Sequence, residues 1–358
     1  MRFRFFFFLF FASACAAQQP AAPDHDMSQM QHSHDGFMQG GMHHAIAKGV
    51  SLDAKSDQGS HTIALRIGPM LLPANTSHMK MPQPPDLVWS IPITGWLLAY
   101  HPKLVDASGN PVPGTVLHHV AFWNENRSDF LCPNKEEHIF GAGSELTDWA
   151  QIPGFGYRVE KGDQIRIETM IYNPTATSYE KVFLEVSIPY LDDPSPDKKD
   201  PAPVKDFYPT WMDAKSCGNS SYDLPPGPSK KVGYVPIKYS GLLLGVGGHM
   251  HDYGQQLTLD ISSAKEPVAT LPAKTDAKGH LLSIPVVTFF QTGGYPFAAG
   301  DTLTITSTYI NPTGKLLSDG AMGIVVGYFV PQDPTALNSL RHTAHASSQD
   351  MSHMSHNH

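Results

Sequence analysis

The sequence predicts an all-β protein of two tandem antiparallel β-sandwich (jelly-roll) domains, flanked by disordered His- and Met-rich tails. Three observations lead to this reading. First, short apolar–polar alternating runs recur, among them Thr62 to Ile67, Val116 to Trp123, Gln164 to Ile171, Leu257 to Ile261, Thr302 to Ile310 and Met322 to Val330. A period of two is the mark of half-buried strands. Second, 30 Gly and 31 Pro cut the chain into pieces that suit strands and turns better than long helices. Third, residues 156–175 (GYRVEKGDQIRIETMIYNPT) align without a gap on residues 294–313 (GYPFAAGDTLTITSTYINPT), at an offset of 138. In each copy a Gly-Asp turn feeds an alternating strand that ends in Asn-Pro-Thr. The offset is the length of a typical domain, so duplication of a domain explains it better than two similar hairpins in one sheet.

The elements follow in chain order. Residues 1–17 have the form of an export signal. Arg2 and Arg4 give the positive start, Phe5 to Phe11 an apolar core too short to span a membrane, and Ala12 to Ala17 a run of small residues. Cleavage after Ala17 fits, and so does lipidation of Cys15, since Ala-Ser-Ala-Cys resembles a bacterial lipobox. That anchor would be the chain's one attachment to a membrane. Residues 18–58 are polar and His/Met-rich, as are residues 336–358, and both are expected to be disordered. Between them lie one sandwich over 59–195, a Pro/Asp-rich linker over 196–205 and a second sandwich over 206–335. A net charge of −8 argues against a nucleic-acid-binding surface, which would be basic. Beyond Cys15 the cysteines are Cys132 and Cys217. In an oxidising compartment they are expected to form a disulfide; the alternative is two separate buried thiols.

Five His (25, 32, 34, 43, 44) and four Met (27, 30, 38, 42) crowd the first tail. Five His (342, 345, 353, 356, 358) and two Met (351, 354) crowd the second. Imidazole together with thioether, outside the cytoplasm, selects copper, Cu(I) above all. Within the ordered region, GVGGHMHDYG (245–254) places His249 and His251 two apart, on one face of a strand and spaced to share a metal. Asp252 is a candidate to fix an imidazole tautomer. A lone His-x-His is a weak signal, and most such pairs are incidental. His118 and His119 in VLHHVAFWN are neighbours, which on a regular strand face opposite ways, so they can share a metal only at a strand end or bulge. Met322 precedes the buried run GIVVGYFVP and alone would be core filler. His61, His78, His101, His138 and His280 read as ordinary histidines.

Taken together, His-His, then His-x-His, then a Met before an apolar strand ending Tyr-Phe-Val-Pro resembles the type II copper, ascorbate-dependent monooxygenases, the family of peptidylglycine α-hydroxylating monooxygenase and dopamine β-monooxygenase. The resemblance spans the ordered region and implies duplicated jelly rolls, two coppers, an external electron donor such as ascorbate, and hydroxylation of a C–H bond by O₂. It implies that the oxygen-activating copper, and with it catalysis, rests on His249, His251 and Met322. It also implies that an electron-supplying copper rests on His118, His119 and a third ligand. The family has His at that third position; this chain has Met170, which alternation places on the polar face with Arg166, Glu168 and Tyr172. The alternative is that Met170 only packs. The positions with which peptide-amidating members grip a C-terminal glycine hold Gly247, Ile324 and Val326 here, so the expected substrate is small or apolar, if there is one. Two other outcomes stay open: a non-catalytic protein for copper capture, storage or delivery, or a surface β-sandwich with relic sites.

Overall fold

The computed structural model describes residues 45–144, 148–194, 204–217 and 220–342. The export signal, Cys15, most of both His/Met tails and residues 195–203, which hold most of the linker, lie outside them. The described residues all fall within one compact unit. Among the described residues regular structure is strand, interrupted only by single 3₁₀ turns such as His78–Lys80 and Asn338–Leu340. No helix among them is long and apolar enough to cross a membrane.

The strands of the described residues form six separate sheets. A seven-stranded sheet runs Ser51–Asp57, Thr62–Leu72, Tyr179–Asp192, Gly95–Leu97, Phe155–Val159 and Lys205–Asp206, with His101–Asp106 also paired to Tyr179–Asp192. A four-stranded sheet runs Leu87–Ser90, Gln164–Ile171, Leu117–Ser128 and Glu136–Gly143. In the later part of the chain a five-stranded sheet holds Tyr208–Asp213, Gly323–Pro331, Gly241–Met250 and Val287–Thr288, with Tyr295–Phe297 on Gly241–Met250. A second four-stranded sheet holds Gly227–Pro236, Thr302–Asn311, Gly254–Ile261 and Ala269–Pro272, and two small two-stranded sheets complete the set.

The all-β expectation survives and the jelly-roll expectation does not. None of the six sheets closes into a barrel or curls into a jelly roll. Nor is the pairing wholly antiparallel, because Lys205–Asp206 lies parallel to Phe155–Gly156. The reason is physical. Alternation decides which residues form strands and which face they bury, but closure depends on which edges meet, and edge pairing leaves no periodic trace. The N-terminal tail also begins its order earlier than expected, since Ser51–Asp57 pairs along its length with Thr62–Gly68. At the other end Arg341 leaves the expected tail to pair with Asp163 at 2.7 Å.

Local pattern builds these elements well. Thr302–Asn311 alternates outward and buried residues along nearly its whole length. Its buried members Leu303, Ile305 and Tyr309 pack into a hydrophobic cluster with Val246, Leu257, Leu259 and Phe329. The other cluster gathers Ile67, Leu65, Phe122, Tyr157, Ile165 and Leu184. Each such side chain contributes on the order of 2 kcal/mol by leaving water. Cys132 and Cys217 form a disulfide with Cα atoms 5.5 Å apart. It bridges 85 residues of chain, which restricts the unfolded state by roughly 4–5 kcal/mol on the loop-entropy model.

The internal repeat has an atomic counterpart. Asn173 Nδ2 donates to Leu72 and Thr177 carbonyls while its Oδ1 accepts from Thr175 N and Oγ1. Asn311 Nδ2 donates to Leu224 and Lys315 carbonyls while its Oδ1 accepts from Thr313 N and Oγ1. Gly162 and Gly300 open the two strands at φ of 95° and 98°, a conformation that glycine alone adopts freely. Each copy supplies an inner strand, Gln164–Ile171 and Thr302–Asn311, to a four-stranded sheet.

Candidate metal centre

Two strand ends deliver the histidines. Gly241–Met250 pairs with Gly323–Pro331 so that His249 lies opposite Ile324 and Met250 opposite Gly323. His251 therefore leaves the ladder where Met322 enters it. The two-residue spacing puts both imidazoles on one face, with ring centres 5.6 Å apart. Buried Tyr309 joins His251 to Met322: its hydroxyl accepts from His251 N at 3.0 Å and Met322 N at 3.1 Å, and donates to the Met322 carbonyl. That uses the full capacity of a phenol oxygen. Met322 itself is fully buried.

On the other side, Leu117 pairs with Ile171 but His119 pairs with Met170, so the strand carries one extra residue, His118. This bulge is the condition under which adjacent histidines can converge. His118 Nδ1 and His119 Nδ1 stand 3.0 Å apart. Met170 lies across the ladder from His119, on the face that carries Glu168 opposite Ala121 and Arg166 opposite Trp123. The alternation argument for its face holds, and the side chain is buried.

The two pairs meet. His118 sits 4.8 Å from His251, 5.1 Å from His119 and 5.0 Å from His78, ring centre to ring centre. Two imidazoles on one ion, bound at roughly 2.0 Å, have ring centres roughly 5 Å apart, so the 5.1 Å of His118–His119 and the 5.6 Å of His249–His251 suit shared coordination within each pair. A cleft of about 240 Å³ is bordered by His78, His118, His249, His251, Tyr172 and Asp319. His78 is the member that sequence reasoning missed. Its Met-Lys-Met neighbours carried the only hint, and its approach to His118 depends on how the 3₁₀ turn packs.

The electrostatics favour neutral, ligating imidazoles. Burial, then the neighbouring His251, His78 and His249, holds His118 well below the usual imidazole range. Burial, then His118 and His249, does the same for His119. Burial, then His249 and His119, does so for His251. His251 also bonds the Asp319 backbone, while its Nε2 is buried with no hydrogen-bond partner. The Asp319 contact thus falls to Nδ1–H and leaves Nε2 as the lone-pair nitrogen a metal would take. Asp252, expected to orient an imidazole, accepts instead from Leu281 N. Among the described residues no group of three or more His, Cys, Asp or Glu side chains could hold a metal ion. Each expected set has only two such donors and a thioether as its third, so a copper fit here depends on the methionines.

Comparison with known proteins gives a distant link. No protein-family model matches the chain. It is 25% identical over 239 residues to a protein named "Probable copper-dependent oxygenase M1" from a Phoma species, covering 61% of this chain and 58% of that protein. It is 25% identical over 240 residues to "Probable copper-dependent oxygenase clz3" from Cochliobolus lunatus, covering 61% of this chain and 72% of that protein. Among solved structures the STIV MCP gives a TM-score of 0.32 at 8% identity, over 78% of this chain and 95% of that one. PNGF-II gives 0.31 at 9%, over 84% and 64%. Scores this low establish no shared fold. The named relatives are fungal and lend nothing to a bacterial origin. The chain is a distant homologue of proteins named as copper-dependent oxygenases, a link to copper oxidoreductases as a class and to no particular substrate.

Proposed function

We propose that this chain is an exported copper-dependent monooxygenase that hydroxylates a C–H bond of a small or apolar substrate. His249, His251 and Met322 would hold one copper, and His118, His119 and Met170 a second. Copper, when bound, supplies one-electron chemistry toward O₂. In the overall reaction one oxygen atom enters the substrate C–H bond and the other leaves as water, with two electrons and two protons drawn from an external donor such as ascorbate. The chain's own residues hold imidazoles neutral by burial, set the His251 tautomer through Asp319, and fix His251 against Met322 through Tyr309. The observation that carries the reading is the meeting of the two histidine pairs at His118 and His251.

The test is copper stoichiometry with X-ray absorption, followed by oxygen consumption with ascorbate. Two coppers and two Cu–S contacts are expected, one lost in Met322→Leu and the other in Met170→Leu. Met→Leu conserves volume and costs less than about 1.5 kcal/mol, so a lost contact reports ligation and not unfolding. Copper binding without oxygen consumption across a broad substrate panel would reject the monooxygenase and leave copper capture or storage. Export, and any anchor through Cys15, is checked by mass analysis of the mature N-terminus.

A further inference from the structure

Behind the histidine cluster lies a second, mostly apolar cavity of about 50 Å³, against roughly 10–15 Å³ for one water on the same measure. It sits between the Leu117–Ser128 and Glu136–Gly143 strands on one side and the Tyr208–Asp213 and Gly323–Pro331 strands on the other. Phe140, Trp149, Trp211 and Tyr328 supply its apolar walls, and His119 and His249 border it. Trp149 covers Gly247, where a Cβ would lie 3.4 Å from the indole.

Besides the bordering His119 and His249, two residues bring polar atoms into this apolar lining. His138 is 6% exposed and Thr210 is 2% exposed, and both line the cavity. His138 Nε2 and Thr210 Oγ1 are buried with no hydrogen-bond partner in the protein. Leaving such groups unpaired is costly, so in a native fold they call for a ligand or bridging water. The His138 ring is held in place, its centre 4.7 Å from Trp123 and 4.0 Å from Trp211. Burial, then Arg166 and His249, pushes its pKa down to about 3, so the ring is neutral in ordinary buffers. Its other nitrogen bonds the residue's own backbone, which leaves Nε2 as a fixed acceptor. The Thr210 hydroxyl can donate.

We propose that this cavity is the subsite for a small, largely apolar molecule carrying one hydroxyl group, whose O–H donates to His138 Nε2 and whose oxygen accepts from Thr210 Oγ1. A molecule held there has its apolar body among the aromatic walls, next to His119 and His249. As a substrate subsite this rests on the monooxygenase reading; as a binding site it stands alone. It assigns His138 and Thr210 as specificity-determining residues.

The experiment titrates phenol and toluene into the full-length chain without added metal, followed by calorimetry and tryptophan fluorescence. Phenol is expected to bind about tenfold more tightly than toluene, the worth of a buried hydrogen bond. Thr210→Val, nearly isosteric, and His138→Phe should each remove most of that preference and leave toluene unaffected or improved. His138→Gln, which keeps an acceptor, should retain part of it. Equal affinity for phenol and toluene, no binding of phenol, or a preference unchanged in Thr210→Val would overturn the proposal and leave the two atoms to water. Since copper is absent, the outcome is separate from oxygen consumption. Either reading can fail while the other holds.

Discussion

The two histidine pairs reach the same cluster by different local means. His249 and His251 use the plain period of a strand, and Tyr309 ties His251 to Met322 by three hydrogen bonds. His118 and His119 need a bulge, and His119 meets Met170 across the ladder. Their positions relative to the internal repeat differ as well. The His118 strand pairs directly with the repeat strand Gln164–Ile171, whereas the His249 strand belongs to a different sheet from the repeat strand Thr302–Asn311. The duplicated turn is thus a copy in its hydrogen bonds, but the histidine pairs are not copies of each other. They become one cluster because packing sets His118 against His251.

The sharpest way to break this comparison is to delete one imidazole from each side. His251→Ala should lower copper affinity at its own site by more than about 100-fold, since even outer-shell partners of ligands are worth 10–100-fold. His118→Ala should do more, because His118 touches His78, His119 and His251 together. Copper titration of both variants checks it. If His118→Ala removes a single copper and leaves the other affinity unchanged, the two pairs act as separate sites.

Tyr309→Phe tests the clamp that only one side has. It leaves His251 N, Met322 N and the Met322 carbonyl without their partner in a buried place, which should cost about 3 kcal/mol of stability. Copper affinity on the His249–His251 side should fall by about 10–100-fold, with the His118–His119 side little changed. Denaturant unfolding and site-resolved copper titration would show an equal loss on both sides if the clamp serves the whole fold.

The difference between the pairs also explains what could be seen in the sequence. His249 and His251 were legible because their spacing alone sets their common face. The Asn173 and Asn311 turns were legible because the hydrogen bonds lie within five residues. The bulge at His118 was not, since it depends on the register against Ile171 and Met170, some fifty residues later. His78 and His138 read as ordinary in the sequence because what distinguishes them, a neighbour 5.0 Å away or a buried nitrogen without a hydrogen-bond partner in a cavity, arises from packing between distant segments. Sheet closure escaped for the same reason.

Acid titration of the metal-free protein gives a smaller effect. His118, His119, His251 and His138 have folded pKa values below 6.5. As pH falls through 6.5 the unfolded chain takes protons that the fold refuses, and stability drops. Glu137 and Glu168, raised by burial to about 7, and Asp129 and Asp213, raised to about 6, act oppositely. Their penalty is relieved as pH falls from the folded values toward 4.5 and 3.8. Asp86 and Asp252, also raised by burial, act in the same sense as these carboxylates, so between about pH 6 and 4.5 the carboxylates offset the histidines. Below about 3.8 the histidines are joined by Asp57, Asp106, Asp276 and Asp333, whose hydrogen bonds hold their carboxyls below the usual range, and Tm should fall most steeply. His138→Phe removes the histidine that is not in the cluster and should soften that fall; a Tm that drops steadily from pH 6.5 would mean the carboxylates are not buried in solution.

The smallest effect belongs to Asp252→Asn. A carboxylate beside His-x-His suggests an imidazole orienter, and its loss would then cost 10–100-fold in copper affinity. Here Asp252 Oδ1 accepts from Leu281 N at 2.9 Å, while the tautomer of His251 is set by the Asp319 backbone. Asparagine keeps an acceptor oxygen at that position, so the Leu281 bond persists and copper affinity should change by less than about threefold. Burial raises the Asp252 pKa, with the Leu281 bond and His280 pulling it back, so replacing it by a neutral amide also relieves a charge held out of water and should leave stability unchanged or slightly higher. A loss of tenfold or more in copper affinity would return Asp252 to the imidazoles and transfer the task of holding His251 from the backbone to a side chain.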